Sequence, residues 1–475
     1  MRLVITVCWS AAAIALLTFS SCKPKEKPAP AISAGQDTIT VISASPEWAQ
    51  NANIYEVNIR QYTPEGTLNA FAKSLPRLKK MGVDILWFMP VHPISKAKRK
   101  GSMGSYYAVA DYLAVNPEFG TMEDFKSAVK QAHDLGMKVI IDWVPNHTGW
   151  DHVWIKEHPG FYSKDAKGNI TDPLDPKTGK SFGWTDVADL DYNNPSMRQA
   201  MRDALLFWLR EAGIDGFRFD VAGEVPLDFW EETSPVLRKA KPDIFMLAEA
   251  EVPEHRNEEL FAMSYGWSFH HLMKEIAKGK ADATAIDEWY AKDRAAFQKG
   301  YHMHFIANHD ENSWNGTEKE SFGDGLNAFA VLAFTFDGMP LIYSGQEQGL
   351  NKRILFFEKD PIDWGTYVRQ DFYATLLNLK HRNQALWNGE AGGAPVRIQT
   401  GNDKKIYAFY REKNGQKVLV ILNLSPKTQA VELAGNAFAG SYVNVFKKTQ
   451  VVLDANAKFT LPAWDYLVLS NVVGE

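Results

Sequence analysis

The sequence predicts an α/β protein built on a closed (β/α)8 (TIM) barrel. A small subdomain is inserted after the third strand, and an antiparallel β-sandwich domain follows at the C-terminus. Three observations carry this. From Trp48 onward, short apolar runs alternate with amphipathic helical patterns, the order that gives parallel strands joined by helical crossovers. Eight such units suit a closed barrel better than an open doubly wound sheet, and no Gly-rich phosphate turn follows the first run. After about Trp387 the periodicity changes to two, the mark of half-buried strands.

The strand candidates, in order, are Ile54–Val57, Val83–Met89, Lys138–Ile141, Gly216–Phe219, Ile244–Leu247, His302–Ala307 and Pro340–Tyr343, with a weaker one near Tyr265. Between them, Met122–Leu135 places Phe125, Ala128, Val129, Ala132 and Leu135 on one stripe. Thr121 and Asp124 form its capping box, and Gly136 closes it. Ser196–Ala212 repeats the form and ends at Gly213. The third and fourth strands are too far apart for one helix. The excursion 147–191 reads as the inserted subdomain, and one of Trp150, Trp154 and Trp184 is expected to line a cleft while the others pack a local core. Beyond residue 387, "KIYAFYREKNGQKVLVILNLS" is a hairpin turning at Asn414-Gly415. The expected division is therefore a barrel over 46–386 and an all-β domain over 387–475.

The N-terminus belongs to neither. Arg2 precedes the apolar run "LVITVCWSAAAIALLTF" and then "SSC", the pattern of a secretory signal over 1–21. It resembles a bacterial lipoprotein signal, which implies cleavage before Cys22, lipid attachment at that thiol, and an exported protein tethered to the cell envelope. Residues 22–45 read as a flexible tether rich in Pro, Lys and Ala. Cys8 and Cys22 are the only cysteines, so the mature fold is expected to rest on its core and not on disulfides. With 45% hydrophobic residues and a net charge of −5, the chain has material for a large core and no basic stripe for nucleic acid.

In a parallel barrel, strand C-termini meet at one rim, where chemistry is placed. The third strand ends "IIDWVPNH", the fourth "GFRFD", the fifth "LAE" and the seventh "IANHDEN". Four strands each deliver a carboxylate to the same rim: Asp142, Asp220, Glu249 and Asp310. Converging acids repel one another unless function requires them. Arg218 and Asp220 share a strand face, so the guanidinium is expected to hold that carboxylate charged and oriented.

Taken in order, "DWVPNH", "GFRFD", "AEAE" and "ANHD", with "GSYYAVADYLAVNPEFGT" and "DLDYNNP", resemble the motifs of glycoside hydrolase family 13, the α-amylase family, from about Trp48 to the C-terminus. The resemblance implies an α-glucan substrate, with Asp220 as nucleophile, Glu249 as general acid and Asp310 as the third acid that stabilises the cationic transition state. Tyr107, His147 and His309 would bind the sugar next to the cleaved bond, with Arg218 beside them. Asp142 and Asn146 would be structural at the site. Two departures stand out. Gly223 and Glu224 occupy the positions where many amylases carry a substrate-binding lysine and a calcium-associated histidine. Calcium is then possible only at an incomplete site, and no cofactor is required. Ala248 also stands where a glycine is common.

Three other readings compete. An α-glucosidase or glucanotransferase of the same family would share these residues. A non-catalytic envelope glycan-binding protein would be expected to lack one of the three acids, and this chain has all three. The pair His302 and His304 in "YHMHF" has the spacing of a metal-dependent barrel hydrolase, but it comes late in the chain with too few histidines in matching places, and two histidines packed along a strand explain it better.

Overall fold

The computed structural model describes residues 44–175, 178–455 and 457–472. The signal, Cys22 and nearly all of the tether lie outside the described residues. Eight parallel strands close a barrel: β1 (Ile54–Val57), β2 (Ile85–Phe88), β3 (Lys138–Trp143), β4 (Gly216–Phe219), β5 (Phe245–Ala248), β6 (Met263–Tyr265), β7 (Tyr301–His304) and β8 (Gly338–Tyr343). Neighbours in the ring are neighbours in sequence, and β1 closes it by pairing with β8. The weak candidate near Tyr265 is thus a full member. The seventh strand is shorter than its apolar run suggests: the chain leaves the ladder after His304, and the Phe305 carbonyl turns to the His270 ring, 3.1 Å away.

The period-two alternation of strands separates two layers of core. Ile54, Ile85, Trp87, Ile140, Phe245, Leu247, Met303 and Leu341 fill the barrel interior. Tyr55, Val57, Phe88, Ile141, Phe217 and Phe219 face the surrounding helices. The same alternation therefore aims Glu56, Asp142 and Arg218 inward at the upper end of β1, β3 and β4. At the foot of β4 only glycine fits. A Cβ on Gly216 would stand 1.8 Å from the Phe245 carbonyl oxygen across the β4–β5 ladder.

The helix Met122–Asp134 begins at the expected capping box, with both reciprocal bonds between Thr121 and Asp124 formed. Pro195–Glu211 follows the excursion, capped by Asn194. Within the excursion, His147–Gly149 pairs antiparallel with Val187–Asp189. Trp154 packs on Tyr112, His152 and Phe161 as part of a local core.

After the barrel come β9 (Val396–Ile398), β10 (Ile406–Lys413), β11 (Gln416–Asn423), β12 (Gln429–Glu432), β13 (Gly440–Asn444), β14 (Gln450–Leu453), β15 (Lys458–Leu461) and β16 (Tyr466–Ser470). They form a six-stranded antiparallel sheet in the order β9-β10-β11-β16-β13-β14 and a two-stranded partner, β12-β15. The two sheets share a core in which Ile406, Leu419 and Ile421 meet Val431 and Leu461. The β10–β11 hairpin turns at Asn414 and Gly415, both with positive φ (49° and 77°), as the tight hairpin turn requires.

Candidate active site

Hydrogen bonds that run one residue past the strand ends fix the rim. The Asp220 amide donates to Trp143 O (2.8 Å) and the Glu249 amide to Phe219 O (3.0 Å). Both side chains thereby emerge just above the barrel, over Arg218. This arginine is fully buried and lies between Trp87, Tyr107 and Tyr265, with its guanidinium carbon 5.1, 5.7 and 5.4 Å from the ring centres. Nη1 donates to Asp142 Oδ1 and Asp220 Oδ1, both at 2.8 Å, and Nε donates to the Tyr265 hydroxyl at 3.1 Å. Nη2 lies 2.9 Å from Glu249 Oε2, an ion-pair contact without hydrogen-bond alignment. One cation thus serves three carboxyl groups.

Division of that charge decides the protonation of Glu249. Burial pushes its pKa up; the pull of Arg218 is shared with two other acids, and the charges of Asp220 and Asp310 push the same way as burial. The result is a value of about 8. Oε2 also accepts the Val221 amide at 2.8 Å. Val221 makes this contact in a left-handed conformation, φ 37° and ψ 44°, which is a costly choice for a β-branched residue. Asp142, buried beneath, is raised to about 7, burial outweighing Arg218.

A second chain of contacts begins on β1. Glu56 Oε1 is 2.5 Å from His309 Nδ1, and His309 Nε2 lies 2.7 Å from the Tyr107 hydroxyl and 3.4 Å from Asp310 Oδ2. Burial opposes the imidazolium, but Asp310 and Glu56 outweigh it and lift His309 to about 9. With both nitrogens protonated, the ring donates to Glu56 on one side and to Tyr107 on the other. The Tyr107 hydroxyl then donates to Asp142 Oδ2 at 3.0 Å. Asp310 begins a π-helical turn, Glu311–Asn315, anchored by Asn308 Oδ1 on the Glu311 amide; such turns concentrate at functional sites.

Above these groups opens a cleft of about 470 Å³. Tyr107, His147, Asp220, Glu249, His309 and Asp310 line it, while Asp142 and Arg218 lie beneath its floor. Asn146 stands behind His147, its amide nitrogen 3.3 Å from His147 Nδ1. Of the three tryptophans, Trp184 lines the cleft, backed by Phe182 in a stacked pair at 4.9 Å. Sequence reasoning missed Glu56, Trp314, Phe356 and Phe357. Glu56 had a signal, a lone carboxylate in the apolar run "IYEV". Trp314, in the π-helical turn, and Phe356 and Phe357, in a loop, carry none.

His302 pairs with Asp293 (2.7 Å), and His304 donates to the Asp337 carbonyl (2.9 Å), so the two histidines serve separate packing contacts. His270 is fully buried and 3.0 Å from Glu311, because the helix Trp267–Ala277 turns that face onto the loop after β7. Around Asn146, the side-chain amide nitrogen lies against His147 Nδ1, Glu224 is exposed, and among the described residues no group of three or more His, Cys, Asp or Glu gathers to hold a metal.

The family model for the alpha-amylase catalytic domain matches residues 34–172 and 180–394. The chain belongs to the alpha-amylase family. A maltogenic-amylase C-terminal domain model matches residues 397–468, over the β9–β16 sheets. Alpha-amylase 3 of Dictyoglomus thermophilum is 25% identical over 86% of this chain and 90% of its own. Neopullulanase 2 of Thermoactinomyces vulgaris is 26% identical over 82% and 72%. Among solved structures, a noncanonic maltogenic alpha-amylase from Thermotoga neapolitana superposes with a TM-score of 0.80 at 27% identity, covering 89% of this chain and 99% of that one. An alpha-amylase from Lactobacillus plantarum gives 0.78 at 29%, covering 90% and 100%. The protein is thus an alpha-amylase-family enzyme of the α-glucan hydrolase or transferase type, and the residues named from its motifs converge on one cleft.

Proposed function

We propose that the protein is a retaining α-glucan hydrolase that cleaves α-1,4-glycosidic bonds in starch-like polysaccharides or maltooligosaccharides. One observation carries the reading: Asp220 and Glu249 touch the same buried guanidinium at a cleft floor, and Glu249 keeps its proton at neutral pH. A paired carboxylate and a protonated carboxyl are what double displacement at a glycosidic carbon needs.

Asp220 attacks the anomeric carbon as Glu249 passes its proton to the leaving oxygen, giving a glycosyl ester and a free chain end. Esterification removes the Asp220 charge, one of the influences holding the Glu249 pKa up. The deprotonated Glu249 then takes a proton from water, whose oxygen attacks the same carbon and releases Asp220. Asp310 and the charged His309 flank the ring, and Tyr107 offers its face. No cofactor takes part. A sugar hydroxyl in place of water would make the second step transfer, as in a glucanotransferase, and an α-glucosidase would differ only in the length of glucan bound.

Cys22 and the segment before it support export and lipid attachment, on sequence pattern alone; a Cys22→Ala form left in the soluble fraction would agree, and an unchanged membrane fraction would not. For the reaction, soluble starch, maltotriose and pullulan are incubated with the protein and with Glu249→Gln. Reducing ends released by the wild type and not by the variant are expected. Activity retained by the variant removes Glu249 from its role, and no activity on any α-glucan favours a binding protein.

A further inference from the structure

The segment between β2 and the helix Met122–Asp134 throws out a loop, residues 95–108, pinched at its base by the bridge between Ile94 and Val109. The loop touches both walls of the cleft. Toward the excursion, the Lys96 and Ala97 amides donate to Asp151 Oδ2 (2.9 and 3.2 Å), and the Lys98 ammonium lies 3.1 Å from the Trp150 ring centre. Lys100 Nζ lies 2.8 Å from Asp186 Oδ1, both residues lining the cleft. Toward the opposite wall, the Met103 amide donates to Phe357 O (2.9 Å) and the Ser102 amide to Glu358 Oε1 (2.9 Å).

This crossing is built to be stiff. Arg60, buried and, among the described residues, without a carboxylate partner at hydrogen-bond distance, donates to the carbonyls of Gly104 (3.0 Å), Met103 (3.2 Å) and Phe356 (3.2 Å). It cross-links strap and wall. Arg99 folds back on the Ile94, Ser95 and Ser102 carbonyls. Gly101, at φ 64°, approaches the wall so closely that a Cβ there would stand 2.4 Å from Phe357 Cβ. A solvated loop has no need of such contacts.

From this geometry we infer that the strap 95–104 closes one end of the cleft and makes the enzyme chain-end directed, releasing short oligosaccharides from the non-reducing end of an α-glucan. The inference rests on the hydrolase reading and adds its mode of action. The closed end is the glycon end, because the strap runs directly into Tyr107, whose ring stacks on Phe356 (6.3 Å, 12°) and on His309. In the mechanism proposed above, these groups hold the sugar that Asp220 attacks, the glycon of the cleaved bond. A glucan can enter with a free end and cannot thread through.

The test compares p-nitrophenyl maltoheptaoside with the same compound capped by an ethylidene acetal at its non-reducing end. The wild type is expected to cleave the capped compound at least about 100-fold more slowly, since the cap meets the strap. A Gly-Ser replacement of 97–102 should raise the capped-to-free rate ratio at least about tenfold, and Lys100→Ala with Asp186→Ala should move it the same way if the longer replacement fails to fold. Comparable wild-type rates on both compounds, or an unchanged ratio in folded variants, would overturn the inference. Failure to cleave either compound would bring down the hydrolase reading, and this one with it.

Discussion

Glu56 Oε1 lies 2.5 Å from His309 Nδ1, joining β1 to the loop after β7 across the barrel. Glu56→Gln removes the charge and keeps the shape. His309 should then titrate below its present value of about 9. The variant is expected to match wild type within a few-fold near pH 6 and to lose about 10–100-fold in kcat/KM near pH 8, where the ring has become neutral. Stability should shift in parallel. The pair's contribution is fully present below the ordinary imidazole range and is lost as pH rises through about 9. Flat pH profiles for both proteins would contradict this.

Glu249 governs the alkaline limb. kcat/KM should fall above about pH 8 as its proton leaves, and Glu249→Gln should cost about 10²–10⁴ in kcat. The folded protein keeps a proton that the unfolded chain releases above the ordinary value of 4.5. Stability from this group therefore declines from there up to about pH 8. Melting curves should show the Gln variant gaining on wild type, by a few degrees, across that window and not below it.

Arg218 separates charge from geometry. Arg218→Met leaves three acids beneath and around the cleft without their cation and should cost about 3–5 kcal/mol in denaturant titrations. Arg218→Lys restores a charge but not the fork that reaches Asp142, Asp220 and Glu249 together. It should recover part of the stability and little of the activity. Full activity in the lysine variant would show that charge alone suffices.

Gly216→Ala should fail to give a folded protein. Its Cβ would overlap the Phe245 carbonyl oxygen at 1.8 Å, a backbone atom that cannot move without breaking the β4–β5 ladder. Soluble, active alanine protein would show that the two strands can part.

Chelation offers a further check. With Glu224 exposed and no group of three or more His, Cys, Asp or Glu gathered among the described residues, dialysis against EDTA is expected to leave activity and melting temperature unchanged, whereas a drop of about 10 °C would reveal a metal whose binding is coupled to folding.

How much of this could be read beforehand follows from how each part is encoded. Asp142, Arg218, Asp220 and Glu249 sit at or just past strand ends, where an apolar run stops at a polar residue, so motif and position coincide; Asp310 follows on the loop after β7. Their protonation was only half readable. The ion pair of Arg218 with Asp220 is local in sequence, but the burial that raises Glu249 comes from the whole rim. Glu56 looked like an interruption of β1 until the ring closed and its inward register met His309. Lys100, Asp186, Trp314, Phe356 and Phe357 lie on long connections, whose paths are set by contacts such as those of Arg60 and not by any repeating pattern.

Because β1 and β8 are the two ends of a sequentially ordered ring, the reacting groups hold their places only once the first strand has paired with the last. Asp220 and Glu249 come from the middle, while Glu56 and Asp310 must be brought in from opposite flanks. Turnover is consequently a reporter of ring closure: truncated or half-refolded chains would stay silent, and the recovery of glucan cleavage during refolding would time the docking of the first strand against the last.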